Sequence, residues 1–251
     1  MTTKIVGFAG RKRAGKDTAC NFILAVKLAE LGVCKSSRLT EKGFIEVTDI
    51  LGEHLEGKEW FPFAPPAVDT QSLFNDRLGD SVRTYSFAGK LKRLSIDLFN
   101  LDPALVFGTD KDKNTKTSLK WENMPTDTKK KGKMSVREVL QYVGTDLFRK
   151  MSSNIWVDNC ISQISSDSSS LALVSDVRFE NEVLAIQESG GYVVGLTRCS
   201  DASDLHRSEE AVEKCLDICD AIIDNKDMTI PEQNEQIYHT TKHLDIFPEM
   251  G

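Results

Sequence analysis

The chain has 251 residues, 40% of them hydrophobic, which suffices for one substantial core and is too short for two full-sized enzymatic domains, so a single α/β domain with an insertion is expected. Its formal net charge of −6 opposes non-specific association with nucleic acid or an anionic membrane, and an anionic small substrate must be met by a local basic cluster. No apolar run reaches the roughly 20 residues that cross a bilayer, and Met1-Thr2-Thr3-Lys4 lacks a signal-peptide profile, so a cytoplasmic location is expected.

The first element is an apolar strand, Ile5-Val6-Gly7-Phe8-Ala9, followed at once by Gly10-Arg11-Lys12-Arg13-Ala14-Gly15-Lys16. An amphipathic helix over residues 17–31 comes next, with Phe22, Ile23, Val26 and Ala29 on one stripe. Strand, glycine-bounded loop with lysine, then helix is the context that lets backbone N–H groups cradle phosphate at a helix N-terminus. Lys16 would neutralise the β- and γ-phosphates of a nucleotide. Asp17 stands where such loops usually carry Ser or Thr for magnesium, and Thr18 follows. An acid in the first turn also interacts favourably with the helix dipole. The metal-linked role is preferred, directly or through water and with Thr18 assisting, because a bare carboxylate beside triphosphate would otherwise be repelled.

Residues 35–81 read as an irregular insertion, with a strand at Phe44–Val47 and a loop around Trp60-Phe61-Pro62-Phe63-Ala64-Pro65-Pro66. Val82–Phe87 is a short strand, and Ala88-Gly89-Lys90-Leu91-Lys92 opens a helix to about Asn100. The charged stretch 108–133 has almost no apolar period and ends in Lys129-Lys130-Lys131 and Lys133, which predicts a mobile loop. Ser135 and Glu138 have capping-box spacing, so a helix starts there, and another covers Asn154–Ser165. Strands at Leu171–Ser175, Tyr192–Thr197 and Ala221–Asp224 alternate with helices from about Phe179 and Glu209. That rhythm predicts a doubly wound parallel sheet of five strands with its ligands at the carboxyl ends. Six cysteines without a C-x-x-C pair are expected to be reduced thiols.

Asp176, Arg178 and Glu182 follow the 171–175 strand directly, on the edge where the phosphate loop also lies. Arg178 and Glu182 are four apart, so they can point the same way, Arg178 to phosphate and Glu182 to sugar, base or arginine; the bland alternative is a surface ion pair. Phosphoryl transfer asks mainly for positive charge and in-line placement. The cations available are Lys12, Arg13, Lys16, Lys92, Arg137, Arg178 and Arg198, with His206 and Arg207.

These motifs resemble those of the bacteriophage deoxynucleoside monophosphate kinases, which have a P-loop, nucleoside-monophosphate-kinase-like fold with a parallel sheet flanked by helices. The matching residues are Gly15-Lys16-Asp17-Thr18, Phe87-Ala88-Gly89-x-Leu91-Lys92, Val136-Arg137 with Gln141 and Gly144-Thr145-Asp146-Leu147, Trp156, and Asp176-x-Arg178 with Glu182. In that family an Asp after the loop lysine is normal. The resemblance implies ATP and Mg2+ held by Lys12, Arg13, Gly15, Lys16, Asp17 and Thr18, with Arg137, Gly144 and Thr145 also on the donor. It implies acceptor contacts from Leu91, Lys92, Lys113, Trp156, Asp176, Arg178 and Glu182, and charge stabilisation in transfer by Lys16, Arg13, Arg137 and Arg178. It further implies a homodimer and, from His206-Arg207-Ser208-Glu209, a lid over 199–208 that would exclude water. The insertion is longer than the family pattern, Lys113 replaces an expected arginine, and Ala14 stands where a small hydroxyl residue occurs.

The reading is phosphorylation of deoxynucleoside 5′-monophosphates by ATP, supplying dNTPs for phage DNA replication. A related kinase for another phosphorylated acceptor, such as phosphomevalonate, would share the Gly-Lys-Asp and Asp-x-Arg patterns, but Trp156 offers a face on which a nucleobase would stack. A nucleotide-binding switch would need Asn-Lys-x-Asp for guanine, whereas Asn225-Lys226-Asp227 places the acid one residue early.

Overall fold

A computed structural model describes residues 3–50, 60–63, 78–126, 128–167, 169–198 and 207–248. The chain divides into two compact units: Met1–Ala64, Gln71–Ser86 and Cys160–Gly251 form the first, Pro65–Thr70 and Phe87–Asn159 the second. In chain order the strands are β1 (Lys4–Gly10), β2 (Cys34–Leu39), β3 (Ile45–Ile50), β4 (Phe61–Pro62), β5 (Val82–Tyr85), β6 (Lys116–Lys120), β7 (Lys133–Ser135), β8 (Leu171–Val177), β9 (Tyr192–Leu196) and β10 (Ala221–Ile223).

The first unit is built on a sheet in the order β10-β9-β1-β8-β5, with every pairing parallel. A strand in the middle of such a sheet is covered on both faces and so reads as a continuous apolar run. β1 shows this, buried from Ile5 to Gly10. The chain uses β8 and β5 on one side of β1, and β9 and β10 on the other. The loop that leaves β1 therefore opens at the crevice where doubly wound sheets bind ligands, beyond the carboxyl ends of the strands. The helix Lys16–Glu30 covers the sheet through Ile23, Leu24 and Leu28, each fully buried, a burial that stabilises by about 1.5–3 kcal/mol per side chain. They join Val6, Phe8, Leu173 and Leu196 in one core.

The five predicted strands are all present, with one shift that matters. β8 continues to Val177, so Asp176 belongs to the strand itself rather than to the turn after it. The described part of the insertion is an antiparallel sheet, β2-β3-β4, rather than an irregular excursion. The rest, 51–59 and 64–77, lies outside the described residues.

The second unit corrects the expectation of a loop at 108–133. Asp110–Lys113 is a short helix with Thr109 and Asp112 in a capping box, and β6 pairs with β7 as an antiparallel hairpin. Ser135 and Glu138 cap the helix Val136–Gln141, which widens into a π turn over Tyr142–Phe148. Its core gathers Leu101, Val106, Trp121, Met134, Val136, Val139, Tyr142 and Val143. Of the expected lid, 199–206 lies outside the described residues, and Arg207 begins the helix Arg207–Asp217.

Candidate functional site

The loop between β1 and the first helix has the backbone that phosphate binding requires. Arg13 (φ 62°) and Gly15 (φ 94°) both adopt left-handed conformations on either side of Ala14. Left-handed residues alternating with ordinary ones turn successive N–H groups to the same side of the chain. At Arg13 this conformation costs about 1 kcal/mol, a strain the surroundings must hold. At Gly15 the left-handed backbone favours glycine, and a Cβ there would stand 2.6 Å from the Gln233 carboxamide oxygen and push that side chain aside. Lys16 is 6% exposed. Its ammonium donates to the carbonyls of Gly10 and Arg11, both at 2.7 Å, which holds the charge inside the curve of the loop. Arg11 faces away and pairs with Glu213.

Lys16 shares its surroundings with two carboxylates. Burial pushes the Cys20 thiol pKa well up, the negative charges of Asp17 and Asp176 push it further, and Lys16 pulls the other way. These groups from the first helix and β8 therefore act on one point. Asp176 also accepts a 2.6 Å hydrogen bond from Ser86 Oγ, at the exit of β5. Thr18 is placed differently from the metal-assisting role expected of it: a Cβ at Gly43 would collide with its Oγ1, so the β2–β3 turn covers the hydroxyl.

Two residues expected to face ligand are committed to the frame of this unit. Glu182 is 2% exposed, and its Oε2 accepts from the N–H of Arg178 (2.8 Å) and of Phe179 (3.1 Å). This oxygen caps the next helix and fixes the backbone of Arg178, in place of the expected sugar or base contact. Arg198 was counted among the converging cations, yet its guanidinium donates to the carbonyls of Asn225 (3.1 and 2.8 Å) and Met228 (2.6 Å). It braces the turn after β10 instead.

Asn225 and Gln233 are residues that motif reasoning missed. Asn225 is fully buried and Gln233 1% exposed. Asn225 Nδ2 donates to Ala14 O (2.8 Å) and to Gln233 Oε1 (2.6 Å), its Oδ1 accepts from Arg198 N–H (2.8 Å), and Gln233 Nε2 donates to Gly15 O (3.3 Å). With its carboxamide engaged in this way, Asn225 is held on the loop rather than offered to a guanine base. A signal for Gln233 was present: with Ile237 and Thr241 it forms the buried i, i+4, i+8 face of the helix Ile230–Thr241.

The second unit holds the remaining predicted residues. Lys92 places its ammonium 5.5 Å from the centre of the Phe107 ring. Arg137 donates from Nε to Asn114 (3.1 Å) and from a terminal nitrogen to Asp110 (2.6 Å), so its fork is aligned on the short helix that carries Lys113. Leu91 and Gly144 pack on each other, since a Cβ at Gly144 would lie 2.5 Å from Leu91 Cδ2. Trp156 is 5% exposed; its Nε1 donates to Gly144 O (3.0 Å) and its ring lies against Phe148. The open stacking face expected for a nucleobase is therefore absent, and the indole supports the π turn in which Thr145 lies.

Among the described residues no group of three or more His, Cys, Asp or Glu could hold a metal ion. The chemistry of the donors nevertheless fits Mg2+ arriving with a nucleotide: that ion prefers oxygen, uses one or two carboxylates, and takes the rest of its shell from phosphate and water. Asp17 and Asp176 are carboxylates whose charges both reach the Cys20 thiol. Among the described residues no helix is long and apolar enough to cross a membrane.

Known proteins identify the family. A model of the deoxynucleotide monophosphate kinase family matches residues 87–237. The match begins at Phe87, so the loop Gly10–Lys16 rests on its own geometry. A protein of Acanthamoeba polyphaga mimivirus named "Putative deoxynucleotide monophosphate kinase" is 32% identical over 182 residues, covering 66% of this chain and 85% of that protein.

Proposed function

Because the chain belongs to the deoxynucleotide monophosphate kinase family, we propose that it moves the γ-phosphoryl group of ATP to the phosphate of a deoxynucleoside 5′-monophosphate, releasing ADP and the deoxynucleoside diphosphate. The biological role in this reading is the supply of dNTPs for bacteriophage DNA replication in the host cytoplasm. The enzyme works as a homodimer, with nucleotides rather than nucleic acid or membrane as partners. The observation that carries the reading is the buried Lys16 ammonium held within a loop whose left-handed Arg13 and Gly15 set its N–H groups for phosphate.

Lys16 exchanges the Gly10 and Arg11 carbonyls for the β- and γ-phosphates, and the loop N–H groups, with Lys12 and Arg13, take the remaining oxygens. Asp17 would hold Mg2+, with Asp176 as second carboxylate; Thr18, whose hydroxyl lies under the β2–β3 turn, takes no part. Mg2+ held there would supply positive charge that offsets the charge developing on the phosphate oxygens. Gly144 and Thr145 belong to the donor side. An oxygen of the acceptor phosphate attacks the γ-phosphorus, the bond to the β-bridging oxygen breaks, and ADP leaves. Arg178 and Arg137 follow the charge that spreads over the transferring group, and Lys92 and Lys113 hold the acceptor phosphate. Leu91, Trp156 and Glu182 shape the acceptor site through the backbone and packing they support.

A coupled assay of ADP release with each deoxy- and ribonucleoside monophosphate tests this. Turnover that requires a deoxynucleoside monophosphate is expected. ATP hydrolysis indifferent to acceptor, or transfer to mevalonate 5-phosphate alone, would overturn it.

A further inference from the structure

We infer that Asn225 and Gln233 are positioning residues for phosphoryl transfer, their paired carboxamides holding the carbonyls of Ala14 and Gly15 so that the N–H groups of the loop stay aimed at the triphosphate. The inference rests on the reading that Gly10–Lys16 holds the donor.

A peptide unit has its N–H and C=O on opposite sides, so pinning the carbonyl sets the direction of the N–H in the same plane. The carbonyl of Ala14 belongs to the peptide whose N–H is that of Gly15, and the carbonyl of Gly15 to the peptide whose N–H is that of Lys16. Asn225 pins the first at 2.8 Å and Gln233 the second at 3.3 Å. These two N–H groups are the ones at the N-terminus of the helix Lys16–Glu30, where an anion is best received. Asn225 and Gln233 are joined to each other at 2.6 Å, and Asn225 is locked by the Arg198 N–H, so neither amide can turn without breaking a partner's bond. Both are buried, where an unmade hydrogen bond is costly. The left-handed Gly15 also lies directly on the Gln233 carboxamide, which leaves this backbone little room to relax. The pair thereby keeps the cradle formed before ATP arrives, which is where fixed dipoles help most in transfer.

The test uses Gln233→Met, which keeps length and bulk and removes both the donor to Gly15 and the acceptor of Asn225. The expected result is a fall of about tenfold in kcat/KM for ATP, with the KM for the deoxynucleoside monophosphate unchanged, and partial recovery in Gln233→Asn, whose shorter amide still carries a donor. Asn225→Asp is the second variant, and its expected loss is the larger because a buried carboxylate oxygen would then face the oxygens of Ala14 and Gln233 that the amide had bonded. Thermal unfolding of each protein is followed in parallel. A lower melting temperature with normal ATP kinetics in Gln233→Met would overturn the inference by showing a structural role alone. Lys16→Ala serves as the separate control: if it binds ATP as tightly as the unaltered enzyme, the donor reading of the loop fails, whatever Gln233 does.

Discussion

The indole N–H of Trp156 donates to the carbonyl of Gly144 at 3.0 Å, joining a helix start to a π turn twelve residues earlier. A widened turn leaves backbone groups without their usual helical partners, and here a side chain supplies one. Replacing Trp156 with Phe keeps a ring against Phe148 and removes the donor. The variant should lose about 1–3 kcal/mol of stability, read as a lower urea midpoint at an unchanged slope. An unchanged midpoint would mean that the bond contributes nothing.

Gly144→Ala should overpack the same place, because its new methyl meets Leu91. The expected cost is about 1–3 kcal/mol. Shortening Leu91 to Val in that background should recover part of it, so the double variant is more stable than the sum of the single effects predicts. Strict additivity in denaturant titrations would show that the two side chains do not share the space.

In the first unit, Lys16→Ala should lower kcat/KM by about 10²–10³, as expected for removing one charge aimed at the transferring group. Asp17→Ala should raise the magnesium concentration needed for half-maximal turnover and depress kcat more than it weakens ATP binding. Identical magnesium titrations would reduce Asp17 to a helix-end acid. Arg178→Lys keeps charge and loses the planar fork; full turnover in that variant would remove the bidentate phosphate contact from the mechanism.

Glu138 gives a pH dependence with a definite sign. Burial acts to raise its pKa, but the Ser135 N–H and the Lys116 ammonium outweigh burial and hold it below the ordinary value of 4.5. A carboxylate depressed by folding stabilises fully above its unfolded pKa and loses that contribution as pH falls through the lower, folded value. Thermal stability should therefore be insensitive to this group near neutrality and fall below about pH 4.5. Glu138→Gln should lower the neutral melting temperature and flatten the acid limb. An acid limb of unchanged steepness would show that other carboxylates set it.

What could be read from the sequence was whatever the chain decides locally. β1 from Ile5 onward and β8 from Leu171 to Val174 are apolar because both faces are covered, and a phosphate loop is a contiguous turn whose glycines and lysine lie side by side. The hairpin of β6 and β7 was hidden because its exposed lysines carry no apolar alternation; its order comes from cross-strand pairing and from Trp121 and Met134 in the core beneath. β2 was missed for the same reason, Lys35, Ser36, Ser37 and Arg38 giving no face to recognise. In the site, charge type was visible and direction was not. Arg198 and Glu182 stand where ligand-facing groups would stand, but their partners are backbone atoms that only the folded chain supplies. Asn225 was weighed solely as part of a guanine motif, and its bond to Ala14 spans 211 positions of sequence.

That span has a consequence for biosynthesis. Gly15 emerges from the ribosome among the first residues, while Gln233, which touches it, is made 218 residues later. Until Gln233 is made the loop lacks its brace, so a shorter nascent or prematurely terminated polypeptide should be unable to hold a nucleotide in a productive pose. Competence arrives only with the helix Ile230–Thr241.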